Sequence, residues 1–451
     1  VSSRGVIAVL ACALAATVFQ VWTADPDVFW HLKVGEWIVQ NHAVPRVDVY
    51  SWSAYGQPWT AHEWLWEALM YILYSVLGLP SLWLLVFVSA AACGLFIRAG
   101  LLARGADRVV ASVGGAASPF LLVSWLKPWP QAGVYALFSV YLYLSLHGRW
   151  GKRETLGVFF LAALWSNIHA TACMLPLLLL AEFAGLKLLE RRAERGLFLA
   201  FATSFLGTLV NPHGPGLWVY VVREGLLSHH YREYIAEWMP FYFGSPDLVI
   251  SFFACTAIML CAASQGRMKT LEFARAAGFW ALALLSRIYM PYAVLSTAVL
   301  FGTLKLRFRE RFPEVLAAFA LAGAVVFLAA KGVPADLDRV AGKSYPVQAV
   351  EFVKEKGYGK VFNDYGWGGY LIFKGVPVYI DGRADLYRFE NILKDYLELS
   401  KTGGISRYVA GTGADAALVI KNSLLDHALG ESTRWRCAYR DEVGVIYEPV
   451  P

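Results

Sequence analysis

Through residue 331 the chain alternates long apolar runs with short polar connections. Runs of about 17–25 apolar residues can cross the hydrocarbon core of a bilayer as helices. Eleven are predicted to do so, near 5–22, 81–103, 109–126, 131–148, 156–173, 174–190, 196–211, 247–264, 272–286, 289–304 and 313–330. The runs at 272–286 and 289–304 are short and are split by Arg287. Between the first two spans, residues 28–40 set Phe29, Leu32, Trp37 and Ile38 against Lys33 and Glu36. That pattern predicts an amphipathic helix lying in the membrane interface, with tryptophan at headgroup level. A second interfacial helix is predicted at 61–79. Beyond about residue 334 the pattern changes to short β-like runs at 360–362, 376–380, 416–420 and 443–447, with an amphipathic helix near 387–400. Strands alternating with helices predict a small α/β domain. The expected organisation is a polytopic α-helical membrane domain over 1–331 followed by an extramembrane α/β domain over 332–451.

Composition supports the membrane reading. The 451 residues are 57% hydrophobic and 16% charged, whereas soluble domains run at about 45–50% apolar and about 25% charged. With 17 Trp, 23 Tyr and 27 Phe, a disordered chain is excluded. The six cysteines are not a disulfide framework: Cys12, Cys93, Cys173, Cys255 and Cys261 lie in apolar runs and Cys437 stands apart. A net charge of +6 could suggest nucleic acid, but the basic residues cluster between spans. One set of alternate connections, from Arg4 through Arg98, Arg104, Arg192, Arg267 and Arg275 to Arg311, carries eighteen Lys and Arg. The opposite set carries six: Lys33, Arg46, Lys127, Arg223, Arg232 and Arg287. By the positive-inside rule the N-terminus is cytoplasmic and everything after residue 331 lies outside. The first span has a competing reading, since Val9-Leu10-Ala11-Cys12 resembles a lipoprotein cleavage box and Ala13-Leu14-Ala15 a signal-peptidase site. The apolar run continues through Trp22 with no polar break, so the span is expected to be retained.

Polar residues are costly near a bilayer, so their placement is informative. On this topology they gather on the outer side: Asp25, Asp27, His31, Glu36, Asp48, His62, Glu63 and Glu67 in the first outer segment, then Lys127, Gln131, Asn167, His169, Asn211, His213, Glu237 and Arg287. The asymmetry predicts a polar cavity opening outward. Asp25-Pro26-Asp27 offers two carboxylates that could ligate one cation or divide into a base and a structural acid; on spacing alone a solvated helix terminus is the plainer reading. His62-Glu63 is not a zinc-protease motif, because residue 66 is Trp where His is needed. Asn167-Ile-His169 and Asn211-Pro-His213 each end an outward span, as helix caps or as parts of one site. Arg287, between two short spans, suits an anionic phosphate ligand. In the outer domain, Asn363-Asp364-Tyr365-Gly366-Trp367-Gly368-Gly369-Tyr370 combines glycines that allow close approach with aromatic faces of the kind that bind sugar rings. Asp381-Gly382-Arg383-Ala384-Asp385 places charges at the exit of an apolar run. For both segments a hydrogen-bonded turn holding the domain together is the alternative.

These motifs, in this order, resemble the GT-C superfamily of polytopic glycosyltransferases, which includes protein O-mannosyltransferases, aminoarabinose transferases and oligosaccharyltransferase catalytic subunits. The likeness rests on an acidic motif after the first span and two interfacial helices before the second. Within the superfamily the chain is similar to a set of bacterial membrane proteins of poorly defined activity, through residues 25–35, the segment Pro58-Trp59-Thr-Ala-His62-Glu63-Trp64, and the segments 363–370 and 380–385. The resemblance implies transfer of a sugar from a polyprenyl phosphate or pyrophosphate to a glycan, lipid or protein acceptor, on the outer face of a bacterial inner membrane and without nucleic acid. It implies Asp27, or else Asp25, as general base in an inverting displacement. Asp48, His62, Glu63 and His31 become second acids or metal ligands, and Lys127 and Arg287 bind the donor phosphate. The remaining polar residues, Asn167, His169, Asn211, His213, Glu237, Asp364, Tyr365, Trp367, Asp381, Arg383 and Asp385, would line the substrate cavity. The cofactor stays open, since oligosaccharyltransferases use a divalent cation, Mg or Mn, and other members work without one. No Trp-Trp-Asp-type acceptor motif is present, which argues against peptide-sequon recognition. An en bloc glycan ligase with a pyrophosphate donor and a non-catalytic glycan- or lipid-binding assembly protein are the rival readings. A transporter ranks below both, because no inverted repeat or broken mid-membrane helix is visible.

Overall fold

The computed structural model describes residues 3–450 apart from 19–24, 192–193, 228–234, 243, 245, 267–268, 335, 343 and 403. The end of the first apolar run at Trp22, and Arg192, Arg232 and Arg267 from the charge count, lie outside the described residues. By internal contact the chain divides into two compact units, one of Val1–Val21 with Pro80–Val333 and one of Trp22–Leu79 with Pro334–Pro451. The second unit therefore joins the segment between the first two apolar runs to the C-terminal segment.

Each of the eleven apolar runs holds a helix. In chain order, and with the two helices of the intervening segment, these are α1 (Ser3–Val18), α2 (Pro26–Asn41), α3 (Trp64–Leu77), α4 (Pro80–Ala103), α5 (Arg108–Leu121), α6 (Pro130–His147) and α7 (Lys152–Ile168). They continue as α8 (Met174–Leu189), α9 (Arg195–Gly207), α10 (Gly216–Leu227), α11 (Pro246–Ser264), α12 (Thr270–Leu285), α13 (Met290–Ala298) and α14 (Phe312–Lys331). Among the described residues, three helical stretches are both long and apolar enough to cross a membrane: Pro80–Ala103, Ala170–Leu189 and Phe312–Lys331. Helix α10 falls where no span is predicted. In the first unit α1 packs on α4, α5 and α14, and α4 on α5 and α6. The contact between α4 and α5 needs small residues: a Cβ on Gly94 would lie 2.6 Å from the Gly115 carbonyl oxygen, and one on Gly115 would lie 2.6 Å from that of Gly94. Two of the basic residues used for orientation are paired inside this unit, Arg104 with Glu272 at 2.8 Å and Arg275 with Glu182 at 2.7 Å.

In the second unit, α2 and α3 pack against each other. Gly35 permits this, since a side chain there would overlap the Glu67 carbonyl oxygen. The C-terminal part forms a four-stranded mixed sheet in the order β1-β2-β4-β3. Strand β1 (Val361–Asn363) runs parallel to β2 (Ala416–Ile420), which pairs antiparallel with β4 (Gly444–Pro449), itself antiparallel to β3 (Trp435–Arg440). The run 376–380, expected as a strand, is not one. Val378 makes only isolated bridges to Ser51 and Val361. Nearby, the Asn363 side chain takes the place of a ladder, accepting from Tyr379 N at 2.8 Å and donating to Ile380 O at 2.8 Å. Its apolarity reflects burial instead: Val378 and Ile380 are fully covered.

Asp426 ties this sheet to its neighbouring helix. It accepts from Tyr447 Oη at 2.6 Å and from Arg440 at 2.9 Å, and from Asn422 N at 2.8 Å. Burial pushes its carboxyl up, but the Tyr447, Asn422 and Arg440 donors outweigh burial and hold it below the ordinary 3.8. The stabilisation is therefore complete above pH 3.8 and is lost as pH falls through the lowered value. Asp426→Asn is expected to lose about 1.5–3 kcal/mol at neutral pH. The gap to the parent should close as unfolding is followed to progressively lower pH.

Candidate active site

The start of α2 builds the centre of the site. Asp25 is extended (φ −86°, ψ 133°), caps the helix by accepting from Asp27 N at 3.1 Å, and precedes Pro26 at the first helical position. A proline there sacrifices no hydrogen bond, and a carboxylate in the first turn meets the positive end of the helix dipole. Asp25 is buried and used as the cap. Asp27 is half-buried, and its Oδ1 accepts from Trp30 Nε1 at 2.9 Å. The Trp30 ring packs on the His31 ring at 3.7 Å between centroids.

His31 faces α3. Its Nδ1 lies 3.0 Å from Glu67 Oε1 and 3.8 Å from Glu63 Oε2. Glu63, just before α3, and Glu67 are four residues apart and so share one helix face. Both are buried. Burial pushes the Glu63 carboxyl well above its ordinary 4.5, and the charges of Glu67, Asp27 and Asp385 push it further. Burial also raises Glu67, with Arg383 opposing. The three ligand atoms lie within 4.8 Å of one another, and among the described residues Glu67 Oε2 is buried with no hydrogen-bond partner. An imidazole and two carboxylates with one oxygen unanswered fit a divalent cation, and the nitrogen ligand suits Mn or Zn better than Mg.

Behind this lies a buried ionic network. Asp48 Oδ2 accepts from Ser51 N at 3.0 Å and Oγ at 2.6 Å, while its Oδ1 accepts from Arg383 at 2.7 Å. Arg383 also donates to Asp381 through Nε at 2.8 Å and a terminal nitrogen at 2.7 Å, and Asp381 accepts a further, short bond from Tyr387 Oη. Burial opposes charge on Arg383, but Asp381, Tyr387 and Asp48 outweigh it and hold the guanidinium well above its ordinary value. The guanidinium also sits 4.9 Å from the Trp59 ring centroid and 5.2 Å from that of Tyr50. Asp48, Asp381 and Arg383 thus spend their polar atoms on one another and on Tyr50, Ser51 and Tyr387. Asp385 is half-buried beside them.

The glycine-aromatic segment has a similar character. Asp364 Oδ1 accepts from Gly366 N at 3.1 Å, and burial raises its carboxyl. Tyr365 N donates to Tyr396 Oη at 2.9 Å, and Trp367 is buried with its Nε1 on Ser344 O at 2.9 Å. Of the two, Tyr365 is the half-buried one, its ring centroid 6.4 Å from that of Tyr396.

In the first unit, Lys127 Nζ stands 4.3 Å from the Trp129 ring centroid, and the Arg287 guanidinium 4.7 Å from that of Tyr242. Arg287 occupies a 3-10 turn separating α12 from α13, next to the turn that carries Glu237. Asn167 Nδ2 donates to Ala163 O at 2.7 Å and to Val210 O at 2.6 Å, which brings the two Asn-x-His segments together. His169 pairs with Thr171 Oγ1 at 3.0 Å and approaches Gln131 at 3.4 Å. Asn211 Oδ1 accepts from His213 N at 2.8 Å, closing a turn.

No protein-family model matches the chain, and no curated protein sequence matches it. Solved structures do. The archaeal oligosaccharyltransferase AglB from Archaeoglobus fulgidus, in complex with an inhibitory peptide and a dolichol-phosphate, matches with a TM-score of 0.58 at 12% identity, over 92% of this chain and 69% of that one. ArnT from Cupriavidus metallidurans, bound to undecaprenyl phosphate, matches with a TM-score of 0.55 at 14% identity, over 97% of each chain. Both are GT-C superfamily members. The chain has the GT-C fold. Glu67, Trp30 and Tyr387 are members of this buried cluster to which the sequence alone assigned no role. Only Glu67 carried a signal, its spacing of four from Glu63.

Proposed function

We propose that the protein is an integral-membrane glycosyltransferase that moves a sugar from a polyprenyl-phosphate donor to an acceptor on the extracytoplasmic side of a bacterial inner membrane. The observation that carries this is a half-buried Asp27 carboxylate at a helix start, beside a buried acid cluster, in a chain with the GT-C fold. Of the two acids after the first apolar run, Asp25 is committed to capping, which leaves Asp27 as the base. Asp27 takes the proton of the acceptor hydroxyl or amine as that atom attacks the anomeric carbon. The bond from this carbon to the phosphate oxygen breaks, and the lipid phosphate departs with the electron pair, inverting the sugar. Lys127 and Arg287 are the proposed cations for the departing phosphate charge.

His31, Glu63 and Glu67 would hold a divalent cation. Such an ion supplies Lewis-acid polarisation of a reacting oxygen. Chelator treatment of the full-length protein is expected to lower its unfolding temperature and added Mn²⁺ to restore it, with Glu67→Gln abolishing the response. A parent indifferent to chelator would contradict the assignment.

Native mass spectrometry of the purified protein tests the donor class. A co-purifying polyprenyl monophosphate sugar supports the proposal, a pyrophosphate-linked glycan supports the ligase, and bulk phospholipid alone counts against both.

A further inference from the structure

We infer that Gly382 is a positioning residue for Asp27: the turn Asp381-Gly382-Arg383 lies against the Asp27 carboxylate and fixes its rotamer by leaving no room for a side chain at residue 382. The inference deepens the proposed function and rests on its assignment of Asp27 as base. A Cβ built on Gly382 would overlap Asp27 Oδ1, and would stand 3.1 Å from Trp30 Nε1 and 3.4 Å from Asp27 Cγ. Gly382 is not among the residues with positive φ. Glycine is therefore required there for space, not for backbone conformation.

What must move if the space is filled is decided by the surroundings. The turn is held on both flanks, since Asp381 and Arg383 are buried. Arg383 N and Nε donate to Asp381 Oδ1 at 2.9 and 2.8 Å, and Arg383 reaches Asp48 at 2.7 Å. Ala384 N closes the turn on Gly382 O at 2.9 Å. The same helix start is braced from a second point, because a Cβ on Gly369 would overlap Pro26 O and sit 3.2 Å from Trp30 Cδ1. Gly368 in turn backs the Asp381 main chain, with a Cβ there meeting Asp381 Cα at 2.6 Å. At Gly368 and Gly369 the obstacle is backbone. At Gly382 it is the end of the Asp27 side chain, which also accepts from Trp30 Nε1 at 2.9 Å. A methyl group at 382 should therefore swing the carboxylate away and leave the fold intact. Holding a reacting group in one geometry is worth large factors in rate, and a displacement of about 1 Å can cost ~100-fold.

The test uses the full-length protein with Gly382→Ala and with Gly411→Ala as control, since a Cβ at Gly411 meets nothing within 4 Å. Labelling of Asp27 by a water-soluble carbodiimide and an amine, read by peptide mass spectrometry, reports the carboxylate directly. Gly382→Ala is expected to raise Asp27 labelling several-fold while labelling at the exposed Asp107 stays unchanged, and Gly411→Ala is expected to match the parent. Should Gly382→Ala fold poorly, the Asp27→Ala/Gly382→Ala double variant must recover parent-like thermal unfolding, because the overlapping atom is then gone. Parent-like Asp27 labelling in a folded Gly382→Ala, or no recovery in the double variant, overturns the inference. Consumption of a synthetic polyprenyl-monophosphate sugar separates it from the base assignment. With Asp27 as base, Gly382→Ala lowers kcat by ~100-fold with KM unchanged. If Asp27→Asn consumes the donor at the parent rate while Gly382→Ala still alters the labelling, the contact stands and the base assignment falls.

Discussion

Asp27→Asn is expected to lower sugar transfer by about 10²–10⁴-fold, the usual share of a positioned general base. The amide fills the same space and can still meet Trp30 Nε1 through its oxygen, so the loss reflects the proton acceptor and not the fold. Donor binding should survive, which gives a measurable signature: lipid-linked sugar accumulates on the variant while turnover collapses. Asp25→Asn should behave differently. Its amide oxygen can still accept from Asp27 N, and asparagine is as good a helix cap as aspartate. A parent-like Asp25→Asn beside a dead Asp27→Asn would assign the chemistry within the Asp-Pro-Asp motif.

Arg383→Met is expected to destabilise the second unit by about 3–5 kcal/mol, the cost of leaving a buried charge without its partner. Arg383 is 2% exposed, Asp48 and Asp381 are fully covered, and one guanidinium answers both. Lysine should not rescue it, because a single ammonium cannot reproduce two directed sets of bonds. The bond between Asp48 and Arg383 joins residues 335 apart in sequence. Its loss should appear as early hydrogen exchange in both Trp22–Leu79 and Pro334–Pro451. A drop confined to one of these segments would mean that the network does not join them.

What the sequence makes legible and what it hides follow from range. Apolar runs report local burial, so each of the eleven runs holds a helix, as do the two amphipathic segments that became α2 and α3, while among the described residues three stretches are long and apolar enough to cross a membrane. Strand β3 was missed because Trp435-Arg-Cys-Ala-Tyr-Arg440 lies on the sheet edge with few buried positions. The run 376–380 misled in the opposite sense, being apolar through burial while a side-chain amide replaced its ladder. The acids of the first outer segment were visible as a group, but not their division of labour. Asp48 belongs to the Arg383 network, and Glu67 gains its place through His31, 36 residues away. The Gly382 contact with Asp27 leaves no trace in spacing or composition at all.

The most direct test of the central claim is to follow a polyprenyl-monophosphate sugar by mass spectrometry in the presence of purified protein and a cell-envelope acceptor fraction. The account predicts that the parent converts it to bare polyprenyl phosphate with the sugar appearing on an acceptor, and that Asp27→Asn binds the donor without converting it. Conversion by Asp27→Asn at the parent rate, or no conversion by the parent, would contradict the account.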